Sequence, residues 1–262
     1  MTHIRNALKS AGPRLVPFLK SAAIFFILFP EKSPGHLLYL LFKCIPICCL
    51  IGFVISHGLS LSDAYAYNRR ILIGLCFSLL GDIALVFDGF FLFGMCLFAV
   101  AQVAYAWAFG MSPLRPRVGL SASLVAVAAY LSVFPRANSV LMRYVGLVYT
   151  TLIFVMFWRA IARVRFEKSL GGCTSLAGAV GAALFVVSDF CIAVNKFVTP
   201  LPHANAVIMS TYYGAQLGIA FSVLDSQLDR VVSLSAKGSD DDAQKGLLKN
   251  GNGFPGKRVC AH

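Results

Sequence analysis

The stretch "GAALFVVSDFCIAVNKF" (181–197) carries a single aspartate, Asp189, in the middle of an apolar run. A second stretch, "GLCFSLLGDIALVF" (74–87), carries Asp82 in the same isolation. Each stretch belongs to an apolar segment near the length that crosses a bilayer, roughly 17–25 residues. Carboxyl groups inside membrane helices are costly and mark functional sites. The two aspartates are therefore the first candidates for a site.

The composition of the whole chain indicates a membrane protein. Of its 262 residues, 58% are hydrophobic and only 13% are charged, and the mean hydropathy is +0.76. Soluble domains carry about 25% charged residues. Most of the eight cysteines lie in apolar runs, where a free cysteine acts as a small hydrophobic side chain, and the chain has no Cys-X-X-Cys pair of the kind that binds zinc. We predict an all-α integral membrane protein that needs no metal or other cofactor.

Eight apolar runs divide the chain into predicted transmembrane helices. Pro, Gly and charged clusters separate them. The predicted organisation is a cytoplasmic N-terminal segment (1–14), an eight-helix transmembrane domain (15–225) and a disordered cytoplasmic tail (226–262), since the tail is polar and Gly-rich. The predicted spans are 15–30, 36–57, 70–87, 89–110, 117–134, 140–158, 175–195 and 204–224.

The distribution of basic residues predicts the orientation. Seventeen lysines and arginines lie on the side of the N-terminus, in alternate loops and the tail, against three in the opposite loops. Because cytoplasmic loops carry the excess of Lys and Arg, both termini are predicted to be cytoplasmic. The basic start runs into the first span without a cleavage site, which indicates a signal anchor. Basic residues at span ends suit anionic lipids rather than nucleic acid.

The two aspartates are predicted to lie at a similar depth. Asp82 follows Arg70 by twelve residues, about 18 Å along a helix, and Asp189 precedes Lys196 by seven residues, about 10 Å. In a hydrocarbon core of about 30 Å, both carboxyls then lie nearer the non-cytoplasmic face.

Local matches hint at a parallel duplication of a four-helix unit. Gly74 and Gly181 each precede an aspartate by eight residues, and the following spans both carry Ala-Gln, ending at Gln102 and Gln216. Such repeats are related by an axis along the membrane normal and bring equivalent residues towards a shared centre. The alternative is that small residues and Gln recur in any bundle.

A pair of carboxyls in this setting suits acid–base chemistry. Two neighbouring carboxyls in an apolar site hold one proton between them, which provides one acid and one base. That combination suits cleavage through an oxocarbenium-like cation. The structural alternative is that each aspartate is protonated and hydrogen-bonded between helices, but only these two of the eleven acidic residues lie well inside spans.

Other polar residues are candidates for substrate binding. Asn195 and Lys196 close the seventh span, and Lys196 either binds a phosphate or extends to the interface in the ordinary way. No Gly-X-Ser-X-Gly elbow is present, and too few histidines approach the spans for a multi-histidine zinc centre. The remaining candidates to line a cavity are Tyr105, Tyr212, Tyr213, Gln102 and Gln216.

Several segments resemble the lysoplasmalogenase family, the YhhN-like eight-span proteins and their vertebrate relatives. Together they cover most of residues 14–224. The matching segments are "LVPFLKSAAIFFIL", "KCIPICCLIGFVISHG", "GLCFSLLGDIALVF", "YAWAFGMSPL", "GAALFVVSDFCIAVNKFVTPLPHA" and "VIMSTYYGAQL".

The resemblance implies a lysoplasmalogenase, a hydrolase that cleaves the vinyl ether bond of lysoplasmenyl-ethanolamine or -choline to a fatty aldehyde and the glycerophospho headgroup. It implies Asp82 and Asp189, in a Gly-Asp and a Ser-Asp pair, as the catalytic residues. We expect a lysophospholipid substrate, membrane lipids as surroundings and an endoplasmic reticulum location. Many members have Ala-His where this chain has Ala101-Gln102, and a neutral amide cannot shuttle a proton as histidine does.

Two other functions remain open at this point. A proton-coupled lipid or solute transporter also uses intramembrane acids and parallel repeats. Against transport, Pro46 in the second span has no counterpart inside the sixth span. A catalytically inactive membrane scaffold is the third reading, which Gln102 keeps open. The oligomeric state does not follow from the sequence.

Overall fold

The computed structural model describes residues 2–31, 37–137, 139–164 and 170–224. These residues form eight α-helices and two 3₁₀ turns, with no β-strand among them. The predicted tail (226–262) lies outside the described residues. The helices are α1 (Thr2–Leu28), α2 (Leu37–Ser56), α3 (Ala66–Val86), α4 (Phe91–Phe109), α5 (Pro116–Val133), α6 (Val140–Ala162), α7 (Leu170–Phe197) and α8 (Ala204–Phe221).

The all-α prediction is confirmed, and each predicted run overlaps one helix. The largest difference is at the start, where α1 begins at Thr2 and so includes residues that we assigned to a separate N-terminal segment. Among the described residues, five stretches are long and apolar enough to cross a membrane by length and composition, which identifies an integral membrane protein. They are Leu37–Ser56, Phe91–Phe109, Pro116–Arg136, Val140–Ala162 and Gly172–Phe197. Crossing by α1, α3 and α8 stays a prediction.

Apolar side chains cover the outside of the helices as well as the core. On α5, Leu120, Leu124 and Leu131 are each more than half exposed. A water-soluble protein rarely exposes so large an apolar surface, whereas lipid tails cover it without cost.

The helices pack in the same order in each half of the chain. α1 contacts α2, α2 contacts α3, and α3 contacts α4; α5 to α8 repeat these contacts. The halves meet where α2 contacts α8 and where α4 contacts α6, which are equivalent pairs under the same repeat. The packing thereby brings α3 and α7, the carriers of Asp82 and Asp189, towards the middle of the bundle.

Glycines set the two closest helix pairs. A Cβ atom on Gly74 would lie 2.2 Å from Cε1 of Tyr105, so the tyrosine ring of α4 packs directly on the α3 backbone. A Cβ on Gly181 would lie 2.7 Å from the carbonyl oxygen of Ala215, which brings the backbones of α7 and α8 together. Small residues permit such close approach between membrane helices.

Candidate active site

A polar cavity of about 280 Å³ lies at the end of the bundle where α3 and α7 end and where α4 and α8 begin. Its walls come from α2, α3, α4, α7 and α8, with the turn between α3 and α4 at its rim. The polar side chains that line it are Tyr39, Lys43, Asp82, Asp88, Ser188, Asp189, Asn195, Lys196, Asn205 and Tyr212.

Asp82 is held by donors on both carboxyl oxygens. Nζ of Lys43 lies 3.1 Å from Oδ1, and the hydroxyl of Tyr212 donates a 2.6 Å hydrogen bond to Oδ2. The same ammonium donates to the backbone carbonyl of Asp82 at 3.2 Å. The side chains of Lys43 and Asp82 are only 7% and 3% exposed, so water screens this ion pair little. Three helices, α2, α3 and α8, therefore fix one carboxyl.

Asp189 has a different environment. The hydroxyl of Tyr149 on α6 donates to its Oδ2. Within the described residues, no lysine, arginine or histidine lies in ion-pair range of this carboxyl. Asp189 is half-buried, and the preceding Ser188 donates 3.1 Å to the carbonyl of Ile208, which ties α7 to α8 beside it.

A second cavity, of about 80 Å³, adjoins the first at Asp189. Residues of α3 to α7 and of the turn after α5 line it, and only Tyr149, Thr150 and Asp189 are polar among them. Five residues line both cavities: Leu85, Phe91, Phe98, Asp189 and Ile192. Asp82 lines only the polar cavity. Asp189 thus stands where a polar compartment meets an apolar one.

Five of the nine site residues taken from the sequence line the polar cavity: Asp82, Asp189, Asn195, Lys196 and Tyr212. Asn195 stands near the rim and accepts a 2.8 Å hydrogen bond from the backbone of Leu201, so it fixes the turn between α7 and α8. Lys196 is exposed, and its Nζ lies 4.3 Å from the ring centroid of Phe91. Both interpretations of Lys196, phosphate binding and extension to the interface, fit this position.

The other four candidates are not among the residues that line the cavity, and for Tyr105, Gln216 and Tyr213 their hydrogen bonds give the reason. The hydroxyl of Tyr105 donates 2.8 Å to Oε1 of Gln216, which lies one turn beyond Tyr212 on α8, about 6 Å deeper. The hydroxyl of Tyr213 points to α2, where it donates 2.9 Å to the carbonyl of Lys43. Gln102 is fully buried, and within the described residues neither polar atom of its amide has a hydrogen-bond partner.

Sequence reasoning missed Lys43 and Tyr149. Lys43 is the only charged residue of "YLLFKCIPICC" (39–49), so the isolation that identified the aspartates also marked this lysine. Because Lys43 lies inside a predicted span, a count of basic residues in loops does not include it. Tyr149 sits among other polar residues of α6, "YTT", and carries no comparable signal. Tyr39 and Asn205, which join across the cavity rim at 2.9 Å, were also missed.

Fold and site define an integral membrane protein of packed helices with an ion pair and a second carboxyl in one internal cavity. The chain belongs to the YhhN family, which matches residues 38–223. It is similar to lysoplasmalogenase TMEM86A of Bos taurus and of Homo sapiens, at 41% identity over 85% of this chain and 93% of each relative. It is also 35% identical to lysoplasmalogenase TMEM86B of Homo sapiens, over 82% of this chain and 88% of the relative. No solved structure matches the chain.

Proposed function

We propose that this protein is a lysoplasmalogenase, a hydrolase that cleaves the vinyl ether bond of lysoplasmenyl-ethanolamine or -choline. The products are a fatty aldehyde and glycerophospho-ethanolamine or -choline. The names of the curated relatives supply the reaction, since they share 31–41% identity with most of this chain. One structural observation carries the proposal: Asp82 and Asp189 line one polar cavity, and at Asp189 this cavity adjoins an apolar one.

The substrate has the same division into polar and apolar parts. Its glycerophospho headgroup is charged, its alkenyl chain is apolar, and the vinyl ether joins the two. With the headgroup in the polar cavity and the first carbons of the chain in the apolar cavity, the vinyl ether lies beside Asp189. Lys196 and Asn195 line the same cavity, which supports a role for them in binding the phosphate and the glycerol hydroxyl.

The two carboxyls supply acid–base catalysis. A vinyl ether is hydrolysed by protonation of its β-carbon, which creates an oxocarbenium ion at the neighbouring carbon. Water then adds to give a hemiacetal, which collapses to the aldehyde and the alcohol. A carboxylic acid and a carboxylate facing one cavity provide the proton, the stabilising negative charge and the base for water. The side chains of Asp82 and Asp189 thus supply the acid and the base for each proton transfer of the hydrolysis.

We further propose that all eight helices cross the membrane, that both termini are cytoplasmic, and that the protein resides in the endoplasmic reticulum. The excess of basic residues on one side supports this orientation. The cavity then opens towards the lumen. The repeated contacts of α1–α4 and α5–α8 support the proposed parallel duplication, under which Asp82 and Asp189 are equivalent positions.

The experiment that tests the proposal uses full-length protein in detergent micelles, given lysoplasmenyl-ethanolamine and assayed for fatty aldehyde. The analogous alkyl ether lipid, which has no double bond to protonate, is the substrate control. We expect aldehyde from the wild type and almost none from Asp82→Asn or Asp189→Asn. Asp63→Asn, an exposed carboxyl in a 3₁₀ turn, is the matched control and should keep full activity.

No aldehyde from folded wild type, across pH and headgroups, would overturn the proposal. The carboxyl pair would then favour proton-coupled transport, because a Lys–Asp ion pair within helices also suits a transporter. The Gln102→His variant would then be assayed. Aldehyde from this variant would identify the wild type as an inactive member of the family, and no aldehyde would indicate another function.

A further inference from the structure

We propose that Lys43 fixes Asp82 as the carboxylate of the pair, so that Asp189 is the acid that protonates the substrate and Asp82 the base. This assignment rests on the proposed function. It makes Lys43 a positioning residue that acts through Asp82, and it removes the ambiguity between two aspartates that the sequence presents as equivalents.

The hydrogen bonds around Asp82 favour its ionised form. Oδ1 faces the ammonium of Lys43 at 3.1 Å, and this group has protons to donate and no lone pair to accept one. Oδ2 accepts from the hydroxyl of Tyr212 at 2.6 Å. A proton on Oδ1 would point at an ammonium group, and one on Oδ2 would displace the tyrosine proton. The carboxylate satisfies all these donors.

The surroundings of Asp189 favour its protonated form. Its hydrogen-bond partner within the described residues is the neutral hydroxyl of Tyr149, which can accept a hydrogen bond from a protonated carboxyl as well as donate one to a carboxylate. Apolar side chains of α3, α4 and α5 face it across the apolar cavity, and α6 adds only Tyr149 and Thr150 as polar groups. Lys196, on its own helix, holds its Nζ against the ring of Phe91. Burying a carboxylate without a cation is more costly than burying the acid.

The positions of the two carboxyls match these roles. The β-carbon of a vinyl ether, which receives the proton, lies on the chain side of the bond. Asp189 borders the apolar cavity where the chain would enter. The α-carbon, which water attacks, lies beside the ether oxygen on the headgroup side. Asp82 borders only the polar cavity, where that water would stand.

Each step of the reaction then balances. The proton of Asp189 passes to the β-carbon; the double-bond electrons form the new C–H bond, and the positive charge spreads over the α-carbon and ether oxygen. Water attacks the α-carbon and gives a proton to Asp82, which leaves a hemiacetal. The hemiacetal hydroxyl returns its proton to Asp189 as the C–O bond breaks, and Asp82 gives its proton to the departing glycerol oxygen. Both carboxyls end as they began.

Infrared spectroscopy of the substrate-free protein tests the assignment, because only a protonated carboxyl has an isolated C=O stretching band. At neutral pH we expect this band in the wild type and its loss in Asp189→Asn, whose amide can still accept from Tyr149. Adding Lys43→Met to Asp189→Asn should restore a band, since Asp82 then lacks its cation. Adding Lys43→Arg instead keeps the cation and should leave the band absent. Thermal unfolding verifies that each variant is folded.

A band that survives in Asp189→Asn would overturn the assignment, because the protonated carboxyl would then be Asp82. The comparison of wild type with Asp189→Asn decides this even where a Lys43 variant fails to fold. Since the spectra need no substrate, they can contradict the assignment while aldehyde is produced, or support it while no aldehyde is produced. Failure of the assignment and failure of the proposed function are thus distinguishable.

Discussion

The hydroxyl of Tyr212 donates a 2.6 Å hydrogen bond to Oδ2 of Asp82, which joins α8 to a carboxyl of α3. The hydroxyl of Tyr149 on α6 likewise donates to Oδ2 of Asp189 on α7. Each aspartate is therefore oriented by a phenol from another helix, and in the part of the chain that the structure describes only Asp82 also has a cation. Two carboxyls with similar local sequence acquire different chemical properties because different helices surround them.

Removing the Tyr212 hydroxyl should slow catalysis without unfolding the protein. A hydrogen bond to a charged group contributes about 1.5–3 kcal/mol, and 1.36 kcal/mol corresponds to a tenfold change in rate. We expect Tyr212→Phe to lower kcat for lysoplasmenyl-ethanolamine by roughly ten- to a hundredfold. Tyr130→Phe, whose hydroxyl contacts a backbone carbonyl on α6, is the matched control and should leave kcat unchanged. Wild-type kcat in Tyr212→Phe would show that orientation of Asp82 by this hydroxyl is dispensable.

The sequence was sufficient to predict the helices and the pairing of the aspartates in one region. Apolar runs and their breakers determine where helices lie, because a membrane helix must satisfy its own backbone hydrogen bonds. The distances of Asp82 and Asp189 to flanking basic residues predicted a similar depth, and the two side chains line one cavity. Both features depend on residues close together in the chain.

Contacts between distant helices could not be predicted in the same way. Arg159 was counted as a basic loop residue, yet it is fully buried in the last turn of α6. Its guanidinium donates to the carbonyls of Gly110 and Pro113 at 2.6 and 3.0 Å. Tyr105 is predicted to line the cavity, but its hydroxyl donates to Gln216 of α8 instead. Which neighbour a polar side chain meets depends on helix rotation, and the nearly uniform hydrophobicity of membrane helices carries little information about rotation.

The apolar cavity should determine how well long alkenyl chains bind. Ala129 of α5 lines this cavity. The preceding residue, Ala128, is exposed on the outer face of the same helix. Filling a packed apolar space with extra atoms costs about 1–3 kcal/mol. We expect Ala129→Phe to lower kcat/KM for long-chain lysoplasmalogen by about tenfold or more, and to affect a short-chain analogue much less.

Ala128→Phe adds the same ring to the same helix on its outer face and should leave both substrates unaffected. Equal losses for long and short chains in Ala129→Phe would contradict chain binding in this cavity, because a general disturbance of the fold would not distinguish chain length.

The contact of α7 with α8 should tolerate no added side chain at Gly218. A Cβ there would lie 2.6 Å from the carbonyl oxygen of Ala177 and 2.9 Å from Cα of Gly181, so two backbones would have to separate. We expect Gly218→Ala to destabilise the protein by about 1–3 kcal/mol, seen as a lower Tm in detergent. It should also lower activity, because α7 and α8 carry Asp189 and Tyr212. The control is Gly52→Ala on α2, where a Cβ would meet nothing within 4 Å. Alanine is the better helix former by about 1 kcal/mol, so that variant should keep or raise the Tm. A Tm for Gly218→Ala equal to that of Gly52→Ala would mean that α7 and α8 do not pack this closely.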